Sequence, residues 1–211
     1  MPETPVRTPL GVFGGTFDPV HFGHLRLAEE AADALALERV RWIPAGWPAL
    51  RGAPRVAARQ RLEMVRLATA GNPRFELDSA EVDTAAPSYT VPTLERLRAD
   101  AAIGRSRPLV LLVGADAFAG MTGWHRWQSL FELAHIGVAH RPGYPVEAES
   151  LSPALAARLL KAHGAPGDGA SRLIERLFGG WLFRPFNRFF NRSSGRYQGA
   201  VSRILGRRGE V

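Results

Sequence analysis

Hydrophobic positions along this chain follow two alternating patterns. Leu10-Gly11-Val12-Phe13, Val40-Arg41-Trp42-Ile43, Phe75-Glu76-Leu77, Leu109-Val110-Leu111-Leu112-Val113 and Ile136-Gly137-Val138-Ala139 are short, largely apolar runs, most of them bounded by glycine or proline. Such runs predict strands. Between them, Leu25, Leu27, Ala28, Ala31, Ala32 and Leu35 recur at helical spacing from Gly23 to Leu37, with Glu29, Glu30 and Asp33 on the other side. A second helix carries Leu62, Met64, Val65, Leu67 and Ala68 and stops before Gly71-Asn72-Pro73. A third is expected to be capped by Thr90 and to run through Leu94 and Leu97, with Pro92 tolerated in its first turn. Ala45 to Pro54 reads as a loop rich in Pro, Gly and Arg.

Strands alternating with helices, with strands apolar throughout, predict a parallel sheet covered on both faces. The expected architecture is α/β: a Rossmann-like, doubly wound parallel sheet in a single domain over residues 8–170. A divergent basic tail, 171–211, follows it.

Charge sharpens that boundary. The net charge is +7, but nine of the 27 Lys/Arg and only two of the 20 acids lie in 171–211. The first 170 residues therefore balance to zero. A neutral body argues against a nucleic-acid partner for the whole chain. With 45% hydrophobic and 22% charged residues the composition is that of an ordinary soluble protein. No apolar stretch is long enough to cross a membrane, and the start has no secretory pattern. The absence of cysteine excludes disulfides and thiolate metal sites and fits a cytoplasmic location. A homo-oligomer stays open.

Candidate chemistry sits where the first strand meets the first helix. In a doubly wound sheet, ligands bind at the carboxyl ends of the strands near the switch point. Gly14-Gly15-Thr16-Phe17-Asp18 should lie there. Two glycines let backbone N–H groups approach a phosphate. His21 and His24, three apart at a helix start, share one face where the helix dipole favours anions. A metal site of Asp18, His21 and His24 is the alternative, with no further clustered ligand to support it; no protein-held metal is expected.

The whole string Gly14-Gly15-Thr16-Phe17-Asp18-Pro19-Val20-His21-Phe22-Gly23-His24 resembles the nucleotidyltransferase signature G-G-x-F-D-P-x-H-x-G-H at every fixed position. Further along, Ile43-Pro44-Ala45-Gly46, Arg61-Leu62-Glu63-Met64-Val65, Pro87-Ser88-Tyr89-Thr90, Gly114-Ala115-Asp116, Trp124 with Trp127, and Arg141-Pro142-Gly143-Tyr144-Pro145 are similar, in order and spacing, to motifs of bacterial nicotinate-nucleotide adenylyltransferases. That resemblance covers about Leu10 to Pro145.

It implies that ATP and nicotinate mononucleotide react to give nicotinate adenine dinucleotide and pyrophosphate, with Mg²⁺ carried by the ATP. It assigns ATP to Gly14, Gly15, Phe17, Asp18, His21, His24, Gly114 and Asp116, with His21 and His24 catalytic. It assigns the acceptor to Ser88, Tyr89, Thr90, Trp124 and Arg141, Trp124 stacking on the pyridine ring. The alternatives are another phosphorylated acceptor, nicotinamide mononucleotide or phosphopantetheine, or a catalytically weak nucleotide-binding protein.

The chain departs from the family in three places. The usual P-P-H-K loop reads Trp47-Pro48-Ala49-Leu50-Arg51, and Pro92 stands where an acid is common. The C-terminal I-S-[SA]-T-x-I-R segment is missing; Asn191-Arg192-Ser193-Ser194-Gly195-Arg196 is the nearest string. Three endings compete: a lineage-specific one, a module for an acidic partner or nucleic acid, and a translated frameshift. The other two reading frames of the gene decide the last.

Overall fold

The computed structural model describes residues 7–49, 52–104, 106–139 and 151–155. Five parallel strands form its sheet: β1 (Leu10–Gly15), β2 (Arg39–Pro44), β4 (Phe75–Leu77), β6 (Leu109–Gly114) and β7 (His135–Ala139). A two-stranded ladder, β3 (Trp47–Pro48) with β5 (Pro87–Ser88), stands apart from it. The helices are α1 (Phe22–Ala34), α2 (Ala58–Thr69), α3 (Thr90–Ala99), α4 (Ala115–Ala119) and α5 (Leu130–Leu133).

Strand order is β4-β2-β1-β6-β7. From β1 the chain winds outward through β2 to β4, then returns to the other side of β1 and winds through β6 to β7. That reversal between β1 and β6 is the switch point of a doubly wound fold. The expected fold class is the observed one.

Period-two alternation divides the core between the two faces. Leu10 and Val12 of β1, with Leu109, Leu111 and Val113 of β6, face Val91, Leu94 and Leu97 of α3. Phe13, Val40, Trp42, Val110 and Leu112 face Leu25, Ala28 and Ala32 of α1 and Met64, Val65 and Ala68 of α2. Both faces are buried, which is why the strands read as nearly unbroken apolar runs.

Two helix boundaries differ from expectation. The first helix ends at Ala34, because Ala36 turns left-handed (φ 48°) and sends Leu37 into the core. There a Cβ on Gly11 would stand 2.8 Å from the end of the Leu37 side chain, which would have to shift to admit it. Thr90 is the first helical residue of α3 rather than its cap; Tyr89 holds that position in extended geometry, with no side-chain cap. The stretch read as loop contains the short β3.

Candidate active site

At the carboxyl end of β1, Gly14 is exposed and Gly15 half-buried. A Cβ on Gly14 would have no heavy atom nearer than the Ile43 carbonyl oxygen at 4.0 Å. On Gly15 it would meet the Phe17 ring at 3.0 Å. Phe17 adopts φ 50° and folds its buried ring beneath the turn, against Phe13 (5.5 Å between centroids) and Trp42 (5.5 Å). Asp18 precedes a cis proline, Pro19, and its Oδ2 accepts the Arg55 backbone N–H at 2.5 Å.

His21, extended at φ −145° and ψ 173°, is the residue before α1, and His24 is the third residue of the helix. Their rings lie 3.7 Å apart between centroids, tilted by 31°. His24 also rests edge-on against Phe17, 5.1 Å away. The His21 backbone N–H donates to His24 Nδ1 at 3.1 Å. A ring that accepts at Nδ1 carries its proton on Nε2, so His24 presents a donor on its far edge. Two imidazoles therefore meet at the N-terminus of a 13-residue helix, whose positive dipole end favours an anion.

Across the switch point, Gly114 ends β6 and Asp116 sits exposed in the first turn of α4. The Asp116 carboxylate lies over Gly114, where a Cβ would be 2.8 Å from Oδ1.

A second group forms around the start of α3. Ser88 Oγ accepts the N–H groups of Gly46 (3.0 Å) and Trp47 (3.3 Å) and lies near enough to the Glu81 carboxylate to favour its charged form. The Thr93 hydroxyl donates to Glu81, at 2.5 Å. Burial pushes the Glu81 carboxyl above its ordinary range, against these contacts and the nearby Arg96 charge. Tyr89 lies against His125, 4.8 Å between centroids and tilted by 37°. Trp124 precedes His125 and is partly buried against the core, as is Trp127, whose ring meets Phe131 edge-on at 6.2 Å. Thr90 contributes the first N–H of α3. Arg141, Leu50, Arg51 and the tail 171–211 lie outside the described residues.

A family model described as cytidylyltransferase-like matches residues 12–194. Over 148 residues the chain is 66% identical to a "Probable nicotinate-nucleotide adenylyltransferase" of Dechloromonas aromatica (strain RCB), covering 70% of this chain and 67% of that protein. The chain belongs to this family. A second member, from Cellvibrio japonicus (strain Ueda107), is 45% identical over 163 residues, covering 77% of this chain and 75% of the relative. A third, from Hydrogenovibrio crunogenus (strain DSM 25203 / XCL-2), is 51% identical over 140 residues, 65% of this chain and 64% of the relative. Among solved structures, Plasmodium falciparum nicotinic acid mononucleotide adenylyltransferase complexed with NaAD superposes with a TM-score of 0.56 at 10% identity, covering 91% of this chain and 98% of that one. Its complex with APC gives 0.52 at the same identity and coverage. At such identity the likeness is one of fold.

Within the adenylyltransferase frame, three residues to which sequence reasoning gave no role stand close to the site. Arg61 of α2 is 1% exposed, and its guanidinium donates to the carbonyls of Thr16 (2.6 Å), Ala45 (2.7 Å), Gly46 (3.0 Å) and Val56 (3.1 Å). Burial lowers its pKa, partly offset by the Asp18 charge. Glu81 and His125 are the other two. His125 was findable from its place between Trp124 and Trp127; Arg61 and Glu81 had no motif pointing to their contacts.

Proposed function

We propose that this chain transfers the adenylyl group of ATP to nicotinate mononucleotide, releasing pyrophosphate and giving nicotinate adenine dinucleotide. A phosphate oxygen of the mononucleotide forms the new bond to the α-phosphorus of ATP. The bond from that phosphorus to the bridging oxygen breaks, and its electrons leave with pyrophosphate. No covalent intermediate is needed, so positioning and charge stabilisation carry the rate.

The observation that carries this reading is the paired imidazoles at the start of α1, on the turn that begins with the bare Gly14 backbone at the switch point. The turn holds the triphosphate, and His24 Nε2–H with His21 stabilises charge growing at the α-phosphorus. Asp116, across the crevice, takes a ribose hydroxyl. Tyr89, Thr90 and Trp124 hold the acceptor, with Trp124 against the pyridine ring; Arg141 contacts phosphate. The positive end of α3 favours a carboxylate over an amide. In support, the relatives carry the adenylyltransferase name and the Plasmodium protein was solved with NaAD.

Mg²⁺ belongs to the ATP in this reading. The turn offers two imidazoles and an Asp18 oxygen already bonded to the Arg55 amide, a poor cage for a hard cation that prefers six oxygens. No three-residue cluster of metal-ligating side chains occurs among the described residues. The protein's own groups therefore bind and orient the phosphates that hold the ion. No helix among the described residues is long and apolar enough to cross a membrane; we place the chain in the cytoplasm.

Pyrophosphate release from purified protein with ATP, Mg²⁺ and either mononucleotide tests the proposal. Turnover with the acid form and slower turnover with the amide are expected. Equal rates remove the substrate assignment, and ATP binding without release removes the activity.

A further inference from the structure

The segment Ala45–Trp47 joins the two halves of the site through its own peptide groups. On one side the Arg61 guanidinium holds the carbonyls of Ala45 and Gly46 and, with the same nitrogen that binds Ala45, the carbonyl of Thr16 in the phosphate-binding turn. On the other side the N–H groups of Gly46 and Trp47 are taken by Ser88 Oγ, beside the start of α3. Gly46 itself is packed so closely on Glu81 that a Cβ would stand 1.9 Å from the Glu81 carbonyl oxygen.

Valence makes the arrangement directional. A hydroxyl has one proton and two lone pairs. Ser88 spends both lone pairs on the loop N–H groups, so only its proton remains to give, and the Glu81 carboxylate is the electrostatic neighbour placed to take it. Thr93 anchors the same carboxylate to α3. A guanidinium offers a rigid fan of five N–H donors, which a lysine ammonium with three cannot reproduce.

We propose that Arg61 and Glu81 are positioning residues that lock the ATP-holding turn and the acceptor-holding turn in one register through Gly46, so that the two substrates bind cooperatively. The inference rests on the two-substrate reading above. Neither residue touches a reacting atom. Arg61 fixes Thr16, and with it the run from Gly14 to His24; Glu81 fixes Ser88, and with it Tyr89 and Thr90. In-line attack tolerates little misplacement of the two phosphates, and a shared strut keeps their separation constant.

Equilibrium binding by titration calorimetry, with wild type, Arg61→Lys, Glu81→Gln and the double variant, tests this. In Glu81→Gln an amide N–H₂ facing Ser88 competes with the loop donors for the same lone pairs. ATP affinity should fall about three- to tenfold in Glu81→Gln, although Glu81 lies on the acceptor side, and mononucleotide affinity should fall similarly in Arg61→Lys. Cutting a strut twice costs little more than cutting it once, so the double variant should fall short of the product of the singles by about fivefold. General loosening of the fold lowers Tm and leaves affinities well below Tm unchanged.

The proposal is overturned if each variant weakens only its own side's ligand, or if the two effects multiply. Should Arg61→Lys fail to fold, Ser88→Ala supplies the second cut, and unchanged ATP affinity there overturns it equally. Wild-type turnover is read separately: a chain that binds both nucleotides but releases no pyrophosphate loses the proposed activity and leaves these affinities to decide the strut.

Discussion

His24 lies 3.7 Å from His21 between ring centroids, and its Nδ1 accepts the His21 backbone N–H. One edge of His24 thus serves the helix start, and in the proposed reaction the other faces phosphate. The two roles come apart in His24→Asn, whose side-chain oxygen can take the place of Nδ1 while nothing replaces Nε2–H. Expected is a fall in kcat of about 100- to 1000-fold, with Tm close to wild type. His24→Ala should lose the same rate and about 1 kcal/mol of stability. An asparagine variant retaining most of its kcat would show that the ring does not grip phosphate.

Gly46 and Gly52 form a matched pair for stability. A Cβ at 46 collides with Glu81 backbone, whereas at 52 it meets nothing within 4 Å. Gly46→Ala should cost on the order of 3 kcal/mol, lowering Tm by about 6–12 °C in scanning calorimetry. Gly52→Ala should leave Tm within about 2 °C of wild type. Equal melting points for the two would refute the close packing at 46.

Trp124 and Trp127 share an environment but should fail differently. Trp127 meets Phe131 edge-on, so Trp127→Ala should lower stability by about 2 kcal/mol and leave KM alone. Trp124→Ala should raise KM for the mononucleotide by about tenfold, the scale of a lost aromatic stack. A rise in KM for Trp127 and none for Trp124 reverses the assignment.

Two partly buried carboxylates should give stability opposite slopes with pH. Burial pushes Glu76 up, but hydrogen bonds from Arg41 and Arg39 outweigh it and hold its carboxyl below the ordinary range. Its contribution is present above the unfolded value and lost as pH falls through the folded one. Burial holds Glu81 above the ordinary range, so its contribution is lost as pH rises through the folded value. In denaturant titrations, the stability gap between wild type and Glu76→Gln should therefore shrink on acidification. The gap for Glu81→Gln should shrink as pH climbs above the usual carboxylate range.

The sheet was legible because its strands are buried on both faces: Leu109 to Val113 is apolar at every position and could be little else. The turn was legible because its residues are constrained locally, glycine by Phe17 and histidine by the helix start. What escaped is what depends on distant partners. Trp47-Pro48 becomes a strand only because Pro87-Ser88 lies beside it. Arg61, within the pattern of α2, resembles a solvated arginine until the carbonyls of Thr16 and Ala45 are brought to it. Ser88 reads as a substrate contact from its motif, and its oxygen also accepts the N–H groups of Gly46 and Trp47. Thr90 differed from its expected place by one position, since nothing in Tyr89 announces a helix boundary.

Unlike Gly11, Gly15 and Gly46, where a Cβ would meet a neighbour at 3.0 Å or less, Gly14 has surroundings within the protein that would admit a methyl group, and its φ is not left-handed. A library selected only for soluble expression should accordingly let alanine into position 14 while rejecting it at 46. Selection for growth on the product should close position 14 again. The contrast would separate glycines that the polypeptide demands for itself from one kept bare for a guest.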